Sequence, residues 1–534
     1  MSVFSVTPKD GNPVTTEVLD ATCKSLGVLI HDDEKEDYRK LLAVFHEAAE
    51  ELMAMPDFDP PTNVKKFPRE QVHFPTEDQN PYGAWAWKCS IRDPNIADGP
   101  LSGKRIAVKD NIAVKDVPML LGTNFIKNYT PKIDATVVTR VLEAGGEIVG
   151  KAVCENMCHS ATSHSAATGI VENPRAKGYS SGGSSSGCGV LVSLGEVDMA
   201  IGADQGGSVR IPACNCGIVG FKPTFGLIPY TGCGSNEASN DHLGPMTKTV
   251  MDCATLLSVI AGQDGIDDRG FAAPTAQQLP QFAEKLKKLS SPDRLDGLKV
   301  GVIVESLSTP VLDPRVRNTF CNAANRLREI GASVEDVGIP IHKKGTAIWT
   351  GVSKVGGYLT KLHGSVGRRS YNMTDLNALM HPITQANWDG AYVSTKNIYL
   401  NGAYAMTAFP HLLAKSINLS RMLRAAYDEA LKKYDVLITP TLPYLATPHA
   451  KTDGTPLEQI GTQVGLTSNT CQFNQTGHPA LTLPCGLLEI ENGPLAGTGT
   501  KLPVGLQIIG KWWDEETVLR VAHAFEITND WEKL

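Results

Sequence analysis

Residues 178–213 read GYSSGGSSSGCGVLVSLGEVDMAIGADQGGSVRIPA. The first twelve positions hold five serines and five glycines, the composition of a flexible linker. The remainder does not fit a linker. VLVSL and VDMAIGAD are apolar runs of the kind found in a core. The segment therefore poses a question: why small, hydroxyl-bearing residues lie between stretches that must be buried.

Working outward, the flanks alternate helix and strand. Upstream, GKRIAVKD (103–110) is a short strand. DATVVTRVLEAGGEIVGK (134–151) is a helix stopped at Gly145 and Gly146, followed by a strand. Downstream, GLKVGVIVES (297–306) has the β-branched texture of a buried strand. Residues 313–337 again give helix, glycine and strand, and residues 420–443 give helix then strand. Helices alternating with apolar strands predict an α/β fold, a sheet covered by helices on both faces. No repeat of 20–50 residues interrupts this order.

The N-terminal part differs. Val18, Leu19, Leu26 and Leu29 form one helical stripe. Tyr38, Leu41, Leu42, Phe45, Ala49 and Leu52 form a second. The segment MPDFDPPTNVKKFP (55–68), with four prolines, then breaks the pattern. Residues 1–75 are expected to be a helical appendage serving dimerisation or packing, with residues 76–534 forming the main body.

The chain has 534 residues, 42% hydrophobic and 20% charged, with net charge −7. This is the balance of a globular protein, and the acidic excess argues against nucleic acid or an anionic membrane surface as partner. The first residues lack the basic and apolar regions of a signal peptide, and no apolar run reaches the ~20 residues that span a bilayer. Twelve scattered cysteines without framework spacing are expected to be reduced thiols of a cytoplasmic protein.

Three places carry candidate chemistry. Lys109 ends a strand, where sites of α/β folds gather. Ser208 follows two glycines, which permit a tight turn whose amide N–H groups point inward, the geometry an oxyanion hole requires. Asp204 and Arg210 flank that turn as a bracing ion pair. The serine-rich block supplies hydroxyls that can pass a proton between base and nucleophile. Neither a GxGxxG loop nor a GK[ST] sequence is present, so nucleotide binding is disfavoured. No G-x-S-x-G elbow surrounds Ser208, leaving His159, His164 and His242 as the nearby histidines for a Ser-His arrangement. CENMCH (154–159) and CNC (214–216) lack the paired spacing of a zinc site. A Cys154-Glu155-Lys109 triad can be drawn, but no spacing singles it out.

Taken together, Lys109, SSGGSSSG (180–187) and GADQGGSVRIPA (202–213) resemble the amidase signature family. Ser184 precedes Ser208 by 24 positions and Lys109 precedes Ser184 by 75, spacings similar to the family's. The likeness continues through GIVGFKPTFGLIPYTG, NQTGHPALTLPCG and PVGLQIIGKWWDEETVLRVAHAFE, covering about residues 80–530. It implies the amidase-signature fold, with a large mixed central sheet and helices on both faces.

The resemblance also assigns roles. Ser208 is the acylated nucleophile, Ser184 the cis-peptide serine that bridges proton transfer, and Lys109 the neutral base. Gln205, Gly206, Gly207 and Ser208 supply oxyanion-hole amides, with Asp204, Arg210 and Ser185 in support. The opening stretch is then the packed floor of a site. Ser186 stands where the family usually has glycine, and its hydroxymethyl group is expected to narrow the floor or add a hydrogen bond. The implied reaction is hydrolysis of small aliphatic or aromatic amides to acid and ammonia, extending to carbamate esters (urethanase activity), without metal or organic cofactor. The layout is similar to amidases that accompany nitrile hydratases and to fungal amidases and urethanases, implying a homodimer. Pocket residues are expected from 230–245 and from a less recognisable insertion at 345–405 containing Trp349, Trp388 and Tyr392. The alternative is the glutaminase component of a tRNA-dependent amidotransferase, which shares the signature.

Overall fold

The computed structural model describes residues 5–96, 98–126, 128–364 and 367–533. Two compact units divide at Pro61/Thr62. In the first, α1 (Thr16–Leu26) starts at Thr15, whose side chain accepts from the Val18 N–H, and ends at Gly27 in the left-handed region. It pairs with α2 (Lys35–Ala54) through a narrow seam of Leu19, Cys23, Ala43 and Val44. Most of the expected stripe lies outside that seam. Leu26, Leu29, Phe45, Leu52 and Met53 are exposed.

The second unit is built on one twelve-stranded sheet. Its strands are β1 (Arg69–His73), β2 (Trp85–Ile91), β3 (Arg105–Lys109), β4 (Glu147–Ala152), β5 (Met199–Asp204) and β6 (Val219–Lys222), then β7 (His242–Thr247), β8 (Lys299–Ile303), β9 (Ser333–Val337), β10 (Val436–Pro440), β11 (Ala480–Glu489) and β12 (Lys501–Gly510). Their order is β1-β2-β4-β3-β5-β7-β6-β11-β12-β10-β8-β9. The pairs β3/β4, β3/β5, β8/β9 and β8/β10 are parallel and the others antiparallel, so the sheet is mixed. One expectation is corrected here. The boundary placed at 75/76 falls at 61/62, because residues 69–73 pair antiparallel with β2 as an edge strand. The charged REQVH sequence hides a strand that gains backbone pairing but buries little.

Helices cover both faces. On one side α3 (Thr136–Glu143) and α6 (Val250–Ile260) cover Ile106, Val108, Met199 and Ile201, and the helices Pro314–Glu329 and Glu515–Thr528 cover Leu483, Leu506 and Ile508 further along the sheet. On the other, α4 (Ser186–Leu194) and α5 (Arg210–Cys216) pack on Ala107, Ala200 and Met246. Every cysteine is free, and all but Cys321 are buried. Among the described residues no helix is long and apolar enough to cross a membrane.

The start of α4 lies against the backbone of its neighbours. A Cβ at Gly187 would lie 2.6 Å from the Val153 nitrogen and closer still to the Ala84 carbonyl oxygen. Gly187→Ala is therefore expected to destabilise the protein by about 1–3 kcal/mol, the range for overpacking, read as a lower urea midpoint at unchanged slope.

Candidate active site

Alternation along β3 aims Lys109. Ile106 and Val108 belong to one layer and Ala107 to the other, so Lys109 follows Ala107 toward α4. There it is fully buried. Its Nζ donates to Ser184 Oγ at 2.8 Å and to the Ala203 carbonyl at 3.2 Å. The Gly183–Ser184 peptide is cis. Gly182 just before it has φ +79°, and a Cβ there would sit 2.8 Å from Pro212 Cα, so only glycine fits.

The rest of the serine block is hydrogen-bonded inward. Ser185 Oγ donates to the Ala203 carbonyl at 3.1 Å, and the Ser185 N–H donates to the Ser208 carbonyl at 3.2 Å. The second bond joins the serine block to the turn that carries Ser208. Ser186 Oγ donates to Glu155 Oε1 at 3.2 Å, while Glu155 Oε2 accepts from the Ser165 N–H and hydroxyl at 3.1 and 2.7 Å. Of the two effects expected from Ser186, the added hydrogen bond is the one present.

Asp204 ends β5 beside Lys109 on the neighbouring parallel strand, so both side chains emerge at the same carboxyl edge. Its carboxylate accepts from the N–H groups of Gly207 and Val209 and from Arg210 Nε and Nη2, at 2.7–3.1 Å. Burial pushes the Asp204 carboxyl up, but Arg210 and Asn474 outweigh it and hold the group well below the usual carboxylate range. Arg210 is also fully buried. Its remaining hydrogens go to the Thr470 carbonyl, Gln507 Oε1 and Asn474 Oδ1 at 2.7–2.9 Å.

These contacts orient the turn 205–208. The Gln205 carbonyl accepts from Trp349 Nε1 at 2.8 Å and the Gly206 carbonyl from Thr470 Oγ1 at 2.7 Å. Across each trans peptide the following N–H points the opposite way. The Gly207 N–H thus reaches Asp204 Oδ1, which corrects its expected place in the oxyanion hole: that donor is already used. The N–H groups of Gln205, Gly206 and Ser208 meet no acceptor among the described residues.

Ser208 opens on a cavity of about 100 Å³ whose walls include His159, Gln205, Glu237, Trp349 and Lys354. β7 runs antiparallel to β5 and starts opposite Asp204, so the loop feeding it arrives at this edge with Asn236, Glu237 and Asn240. The expected segments 230–245 and 345–405 both reach the cavity. Trp349 lines it, whereas Trp388 stacks under Lys396 and Tyr392 packs edge-on to His164. Burial raises Glu237 to about 7 and lowers Lys354 to about 8. The anchors Thr470, Asn474 and Gln507, and the walls Glu237 and Lys354, were not singled out by sequence. Asn474 and Gln507 do lie in stretches that carried the family likeness.

The rival arrangements do not assemble. No histidine nitrogen meets Ser208 Oγ among the described residues, and His242 Nδ1 bonds the Asn240 carbonyl instead. Glu155 is held by Ser165 and Ser186, and burial raises the Cys154 thiol, which does not suit a Cys-Glu-Lys triad. Among the described residues no cluster of three His, Cys, Asp or Glu is placed to hold a metal ion.

The sequence pattern of the family described as Amidase matches residues 84–519. The chain is 41% identical over 459 residues to an enantioselective amidase of Rhodococcus rhodochrous, covering 85% of this chain and 84% of that one. It is 34% identical over 440 residues to a chloroplastic/mitochondrial glutamyl-tRNA(Gln) amidotransferase component of Sorghum bicolor, covering 81% and 77%. Among solved structures, 6-aminohexanoate cyclic dimer hydrolase superposes with TM-score 0.68 at 25% identity, covering 82% of this chain and 86% of that one. The corresponding glutamyl-tRNA(Gln) amidotransferase component of Thermotoga maritima gives 0.66 at 27%, covering 84% and 89%.

Removing the positive member of the buried pair tests how the turn is held. Arg210→Met, which leaves Asp204 uncompensated, is expected to lose about 3–5 kcal/mol of stability in urea unfolding.

Proposed function

Because the chain belongs to the amidase family, whose relatives hydrolyse amides, we propose that it cleaves small aliphatic or aromatic amides to acid and ammonia through an acyl-enzyme on Ser208. The observation that carries this reading is the buried contact of Lys109 Nζ with Ser184 Oγ at 2.8 Å, one loop from a serine that faces a cavity. Ser208 Oγ attacks the amide carbonyl and passes its proton to Ser184, whose own proton goes to the Lys109 amine. The tetrahedral oxyanion is met by the free N–H groups of Gln205, Gly206 and Ser208. The proton returns to the leaving ammonia, and water then attacks the acyl-serine by the same route.

Ethyl carbamate presents the same carbonyl to the same nucleophile, so urethanase activity belongs to this reading. A second reading is favoured by the relatives that are amidotransferase components: a glutaminase working within a larger assembly. The greater identity to the enantioselective amidase, 41% against 34%, favours the free-standing enzyme. Ammonia release by the purified chain from acetamide, propionamide, benzamide, both enantiomers of a 2-substituted amide and ethyl carbamate separates the two. Turnover of glutamine alone would select the second.

Ser208→Ala is expected to lower kcat by about 10⁴-fold or more and to abolish labelling by a fluorophosphonate. Near-normal turnover in that variant would remove Ser208 from the role. We also propose a homodimer through the N-terminal helices, supported by the exposed Phe45, Leu52 and Met53 on α2. Light scattering of the full chain is expected to give the dimer mass, and Phe45→Glu with Leu52→Glu the monomer mass.

A further inference from the structure

The helix Gly345–Leu362 carries two inward-facing lysines seven residues apart, Lys354 half-buried and Lys361 buried. Lys354 lines the cavity of Ser208, and Lys361, almost fully buried, lines a neighbouring one. Among the described residues neither ammonium meets a carboxylate, an aromatic ring or a hydrogen-bond acceptor. Burial lowers both lysines, Lys354 with no opposing charge at all. His159, on the same cavity wall, is held well below its ordinary range by burial and then by Lys361 and Lys354. Two amines of one helix thus act on one small space.

The wall offers them little compensation. Glu237 is the one carboxylate among the residues lining the Ser208 cavity. It sits against the same helix, where Gly356 leaves room for its side chain, yet it forms no ion pair with Lys354. Its Oε2 is taken by the Ser239 N–H and hydroxyl at 3.1 and 2.6 Å. A desolvated ammonium without a counter-ion is unfavourable, and a bound anion relieves it. The amide side chains of Asn236, Asn240 and Gln463 also line this cavity and suit a small polar ligand.

We propose that the amide accepted by this site carries a carboxylate of its own, and that Lys354 binds it. The inference rests on the reading of Ser208 as nucleophile and narrows its substrate class to monoamides of dicarboxylic acids and related anionic amides. Lys354 then acts as a specificity residue that touches substrate, remote from the bond that breaks.

The test compares matched pairs on the full-length enzyme: benzamide with 4-carbamoylbenzoate, and butyramide with succinamate. For the wild type, kcat/KM is expected to favour the charged member of each pair by at least about 10-fold, chiefly through KM, the scale of one charge-assisted hydrogen bond. Lys354→Met should erase that preference and Lys354→Arg should retain it. No preference in the wild type, or a Lys354→Met variant that slows both members equally, would overturn the inference and leave the amidase reading intact. Equal loss is told from misfolding by the Lys354→Arg variant, which keeps the charge in the same place. Wild-type enzyme that releases ammonia from none of the four defeats the amidase reading itself, and this inference with it.

Discussion

The ion pair between Asp204 and Arg210 governs where Ser208, the proposed nucleophile, sits, although neither side chain bonds to its hydroxyl. Both are fully buried, and two charges withdrawn from water are stable only when their remaining hydrogen-bonding capacity is satisfied. Arg210 meets this by reaching the Thr470 carbonyl, Asn474 and Gln507, while Asn474 Nδ2 returns to Asp204 Oδ1 at 2.8 Å. The turn 205–208 is thereby tied to residues more than 250 positions later in the chain. The site is complete only when the last strands have joined the sheet.

The proposed proton path depends on a different constraint, close approach. Lys109 reaches Ser184 because β3 ends where α4 begins, and α4 can begin there only because Gly187 carries no side chain against Ala84 and Val153. Ser185 and Ser186 fill the remaining space with hydroxyls rather than methyl groups. Each hydroxyl answers a buried acceptor, the Ala203 carbonyl for one and Glu155 for the other. A linker composition in the primary structure is here a crowded core composition.

Much of this was legible in advance where the signal is local. Helix–glycine–strand units announced β4, β9 and their helices, and the two glycines before Ser208 announced the turn. The Lys109, Ser184 and Ser208 positions followed from likeness to a family, and the fold brings the first two into contact. What stayed hidden depends on partners distant in sequence. β1 is a polar edge strand that only its pairing with β2 reveals. The commitment of the Gly207 N–H to Asp204 is set by how the neighbouring carbonyls are anchored, to Trp349 and Thr470. Of Trp349, Trp388 and Tyr392, named from the 345–405 segment, Trp349 sits where the Gln205 carbonyl can receive its indole N–H.

The cavity has two kinds of wall. Its floor is made of strand ends and the serine block, held in place by the sheet. Its roof comes partly from the helix Gly345–Leu362, which contributes no strand and meets the turn 205–208 through Trp349, whose indole bonds the Gln205 carbonyl and packs on Gly206. Cavity-facing residues of that helix such as Lys354 can therefore be exchanged without disturbing the geometry beneath, provided Trp349 and the packed glycines are kept. If Ser208 is acylated as proposed, such a division lets the same bond-breaking parts be re-fitted to new compounds by altering the roof alone.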